Sequence, residues 1–67
     1  MKNKCIAGIS IKTGVVEIIA SLDIRFLADH LAEIDKEGCY AVIADRELAK
    51  EAWGKKIDNP LDVVVKN

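Results

Sequence analysis

One tryptophan, one tyrosine, one phenylalanine, one proline, one histidine and two cysteines are spread through 67 residues. Each shortage excludes something. Cys5 and Cys39 with His30 are too few for the usual structural zinc tetrad of Cys and His, and the two thiols do not form a Cys-x-x-Cys pair. The sequence therefore offers no structural metal, no cofactor and no redox motif, and both cysteines read as small buried apolar side chains. Uncharged stretches stay below about ten residues, far short of the ~20 apolar residues that a membrane helix requires. Neither charge sign is in excess: ten basic and eleven acidic side chains leave a formal net charge of −1. No cationic stripe stands out, which argues against nucleic acid as a partner, because phosphate neutralisation supplies most non-specific affinity. A nucleophile with its base, a metal-ligand set and a glycine-rich phosphate loop are all missing, so the reading is of a non-enzymatic protein.

Apolar residues, by contrast, make up 51% of the chain against 31% charged, with positive mean hydropathy, so the composition is that of a folding chain. The basic start Met1 to Lys4 runs into an apolar stretch that is short, alternating and interrupted by Lys12. It reads as the first strand of a cytoplasmic protein and not as a secretion signal. Residues 1–67 are expected to form a single small α/β domain whose core lies near the lower limit of self-sufficiency.

Period-two alternation of Cys5, Ala7, Ile9 and Ile11 with a mixed set predicts a half-buried strand. Thr13-Gly14 then reverses the chain into the β-branched run Val15–Ala20, giving a hairpin. Beyond Ser21 the period changes. Ile24, Leu27, Ala28, Leu31 and Ile34 fall on one helical stripe, capped by Asp23 or Ser21 and stopped by Gly38. The uncharged run Tyr40–Ala44, apolar on either face, reads as a strand inside a sheet. Asp45 caps a second helix with Leu48, Ala49, Ala52 and Trp53 inside and Gly54 as its stop. After Pro60, residues 61–65 read as a closing strand. The expected order is β-β-α-β-α-β. Right-handed crossovers would place both helices on one face of a four-stranded mixed sheet, an α/β (α+β) two-layer sandwich.

Several side chains are candidates for function. Asp23 and Asp45 each follow a strand and open a helix, where open α/β sheets bind ligands, so they are the candidate small-molecule site, though both also suit simple capping. Asp29, His30 and Glu33 cluster on one helical turn and read mainly as a solvated face. Arg25 is spaced to pair with Asp29. Phe26 falls off the apolar stripe and is the clearest candidate for an exposed contact; Tyr40 and Val64 join it as candidate interface residues. An uncovered apolar sheet face or edge is uncommon on a monomer, so the sequence points to association with another chain, a homodimer first.

Overall fold

In the computed structural model, which describes residues 3–64, the alternating first segment forms β1 (Lys4–Ser10), and every residue from Cys5 to Ser10 is buried. The chain turns back through a hairpin in which the Gly14 N–H donates to the Ser10 carbonyl at 2.9 Å, with Gly14 at φ +74°. That left-handed conformation suits glycine because no Cβ opposes it. β2 (Val16–Ser21) then pairs antiparallel with β1, with a shift of register between Gly8 and Ile9.

Asp23 opens the next element: its carboxylate accepts the Arg25 N–H at the start of a 3-10 turn, Ile24–Phe26, which runs into α1 (Leu27–Lys36). Gly38, at φ +74°, takes the chain from α1 into β3 (Cys39–Asp45). β3 pairs antiparallel with β1 along its whole length. The sheet order is therefore β2-β1-β3, an α+β arrangement of three antiparallel strands and two helices. Asp45 caps α2 (Arg46–Ala52), accepting from the backbone N–H groups of Glu47 and Leu48.

Residues paired across an antiparallel ladder point to the same face. One face carries Ile6, Gly8, Ile18, Ala20 and Cys39, and packs against Ile34 and Leu27 of α1. The other carries Cys5, Ala7, Ile9, Val16 and Ala44, and packs against Ala49, Leu48 and Ala52 of α2, with Val63 and Ile57 closing the layer. Gly8 is where α1 comes closest to the sheet: a Cβ there would lie 3.0 Å from Ile18 Cβ and 3.3 Å from two Ile34 carbons.

Four expectations are corrected. The fourth strand is missing among the described residues: Pro60–Asp62 is a 3-10 turn capped by Asn59, and Val64 makes a single antiparallel bridge with Ala44. Val65 of the expected strand lies outside the described residues. The expected parallel pairs do not occur, since both partners of β1 are antiparallel to it. The helices pack on opposite faces, not on one. The strand buried from both sides is β1, while the apolar run Tyr40–Ala44 lies at the sheet edge with Tyr40, Ala41 and Ile43 exposed. The physical reason is shared. A strand covered by a helix on each face and a neighbour on each edge must be the middle one, and the small residues Ala7 and Gly8 let β1 fill that place.

Candidate functional site

The two faces of the sheet end at unlike edges, and the candidate site follows from that. The N–H of Ile11 donates to the Gly38 carbonyl, so Gly38 faces β1; the N–H of Asp45 donates instead to the Val63 carbonyl at 2.8 Å, so Asp45 faces away. Backbone groups alternate along an antiparallel strand. Tyr40, Val42 and Ala44 accordingly direct their N–H and C=O groups to β1, and Cys39, Ala41 and Ile43 direct theirs outward. Among the described residues no segment pairs with Cys39 or Ala41 on the outer side.

Apolar side chains surround this edge. Ile43 is 55% exposed and lies with Ala41 on the α1 face; Tyr40, 37% exposed, lies opposite Ile9 on the α2 face. Leu31, on the helical stripe with Leu27 and Ile34, remains exposed. From Cys39 to Ala44 the strand carries no charge, proline, glycine or bulge, the devices by which edges are usually blunted.

The sequence-derived interface residues do not converge. Tyr40 and Val64 both lie along β3, with Val64 half-buried at the Ala44 bridge. Phe26 sits in the turn that follows β2, across β1 from β3, where the Arg25 guanidinium lies 5.5 Å from its ring centroid and the His30 ring 6.3 Å away. Trp53, expected in the core, is 62% exposed. Its indole N–H donates to the Glu17 carbonyl at 3.2 Å, and with Ile18, Ile19 and Lys50 it lines an open notch of about 450 Å³ beside β2. Ile24, also placed on the helical stripe by spacing, is 86% exposed because it falls in the 3-10 turn, where the period is three and the stripe is lost.

Asp23 and Asp45 occupy the same end of the sheet, on either side of β1, and both carboxylates are engaged. Besides its cap bond, Asp23 holds Arg25 through Nε at 3.1 Å and through a second guanidinium nitrogen at 2.7 Å. This pairing takes Arg25 away from the expected Asp29, and the guanidinium holds the Asp23 carboxyl below its usual range. Asp45 is used as a cap at 2.9 and 3.2 Å. Among the described residues no three His, Cys, Asp or Glu side chains gather as a metal-holding group, Asp29, His30 and Glu33 included.

Both thiols are free and buried. Burial pushes Cys5 up from the ordinary thiol value, and burial together with the Glu17 carboxylate does the same to Cys39, whose Sγ lies 3.7 Å from Glu17. A thiol held protonated is a poor nucleophile. No helix among the described residues is long and apolar enough to cross a membrane. No family model, no curated protein and no solved structure matches the chain.

Proposed function

We propose that this protein acts through protein-protein association, in an accessory or regulatory capacity and without chemistry of its own, and that its first partner is a second copy of the same chain. The observation that carries the reading is the outer side of β3, an uncharged strand with outward amide and carbonyl groups at Cys39 and Ala41 and with Tyr40 and Ile43 exposed around them. Unpaired strand edges template further pairing, and exposed apolar side chains add the burial that hydrogen bonds alone do not supply. A near-zero net charge imposes little repulsion between copies. Of the interface residues read from the sequence, Tyr40 and Val64 lie along this strand, and Phe26 belongs to a different surface.

Sedimentation equilibrium across the micromolar range tests the reading. The expected result is a concentration-dependent mass reaching twice that of one chain. A folded species that stays at the mass of one chain throughout would overturn it.

A further inference from the structure

Resting on that reading, we infer that two copies join β3 to β3, antiparallel, about a twofold axis that passes through Tyr40. The argument is one of space and of hydrogen-bond phase. At one end of the edge the Val63 carbonyl takes the Asp45 N–H and Val64 stands beside Ala44, so a partner strand cannot extend there. At the other end Gly38 turns the chain away into α1. Between these stops, only Cys39, Ala41 and Ile43 present outward groups.

A symmetric antiparallel pairing must match outward residues with outward residues. An axis through Ala41 would set the partner's Cys39 opposite Ile43, directly against Val64. With the axis through Tyr40, Cys39 and Ala41 of one copy exchange main-chain hydrogen bonds with the partner's Ala41 and Cys39, and the space beside Val64 stays clear. The two Tyr40 residues then form a non-hydrogen-bonded pair, the closer kind, with their rings side by side on the α2 face. The partner's Gly38 turn passes beside Ile43, on the α1 face where that side chain is exposed.

The second copy fits this edge better than an extended peptide does. The open stretch is short and stopped at both ends, and β3 itself is a strand stopped in the same places. The pairing also closes on itself. The twofold axis matches β3 to β3 and so uses the same edge of both copies, while the segment that follows α2 bridges the outer side of β2 at Val15 and Val16.

Cross-linking distinguishes the register from the mere fact of association. Residues opposed in a non-hydrogen-bonded pair have Cα atoms about 4.5 Å apart, within the range a disulfide spans. Tyr40→Cys treated with oxidised glutathione is expected to form a reducible covalent dimer in high yield. Ala41→Cys in a Cys39→Ala background, which removes the native thiol that this register sets opposite position 41, should do so far less, and the wild-type chain not at all, because Cys5 and Cys39 are buried. Ala41→Pro supplies a second arm: it removes an N–H that points away from β1, leaves the β1 ladder intact, and should weaken dimerisation about a hundredfold with an unchanged circular dichroism spectrum. A dimer by sedimentation that cross-links at Ala41→Cys and not at Tyr40→Cys, or that survives Ala41→Pro, would overturn the register and leave self-association standing. A monomeric wild-type chain would overturn both, and so would dimerisation that appears only after residues 65–67 are removed, since the edge would then belong to the chain's own end.

Discussion

β2 and β3 flank the same buried strand, run in the same direction and are both rich in apolar residues, but their outer sides are managed in different ways. Beside β2, the chain leaving α2 returns along the strand: Val16 donates to the Lys55 carbonyl and accepts from Gly54, Ile57 donates to Gly14, and the Trp53 indole takes the Glu17 carbonyl. At the same end a register shift against β1 adds a bulge to β2. Beside β3, Val63 and Val64 meet the last rungs, and among the described residues nothing pairs with the outer side of Cys39 and Ala41. A sheet this narrow has no central strand to spare, so each edge is either finished by the chain or finished by a neighbour. The contrast teaches that the two edges differ in how far the described chain finishes them: β2 is bridged at Val15 and Val16, and β3 only beside Ala44 and Asp45.

Removing the finish from β2 should have the largest effect. Trp53→Ala deletes the bond to Glu17 and the apolar cover over Ile18 and Ile19, for an expected loss of about 1–2 kcal/mol in urea unfolding. With β2 bared, light scattering should show species larger than a dimer. Unchanged stability together with an unchanged mass would mean that the backbone bonds at Val16 suffice to close that edge.

A smaller effect on the fold, with a decisive effect on association, is expected from placing a charge on β3. Ala41→Glu places a carboxylate on an exposed position, so stability should move by no more than about 0.5 kcal/mol. Sedimentation should nevertheless report a single chain. A dimer that tolerated this substitution would move the association surface off β3.

The smallest difference concerns the thiols. Cys39 begins β3 and Cys5 lies in β1; burial raises both above the ordinary thiol value. In the folded state these groups hold their protons more tightly than in the unfolded chain. Their contribution is therefore complete below the unfolded thiol value, near 9, and is lost as pH rises through the raised folded values. Melting temperature should fall over that alkaline window, and Cys39→Ala should remove part of the fall. A flat profile in the wild-type chain would show that the thiols ionise without cost and that the burial of Cys39 next to Glu17 is shallow.

Much of the local architecture is legible in the residues. Alternation at Cys5–Ser10, the glycine at the hairpin, Asp23 and Asp45 as caps, and Gly38 and Gly54 as stops all act within a few positions of themselves, and the structure has each of them in that role. Tyr40–Ala44 shows where such reading ends. An uncharged strand suits the middle of a parallel sheet and an unguarded antiparallel edge equally well, and its composition is the same in both. Trp53 and Ile24 fell outside the core for related reasons: helical spacing does not reveal that α2 stops one residue short of Trp53, or that Ile24 lies in a 3-10 turn. The edge became visible as a candidate site only from the phase of its hydrogen bonds, for which a sequence carries no mark.

The amino-acid order by itself determined most of the kinds of element with their caps and stops, because these depend on neighbours along the chain. The tertiary structure alone decided that β1 is central, that the helices divide between two faces, and that, among the described residues, nothing pairs with the outer side of β3 at Cys39 and Ala41. Those outcomes depend on which surfaces meet across long separations, where small differences in side-chain volume, such as Gly8 beneath Ile34, select one packing among several that the pattern allows.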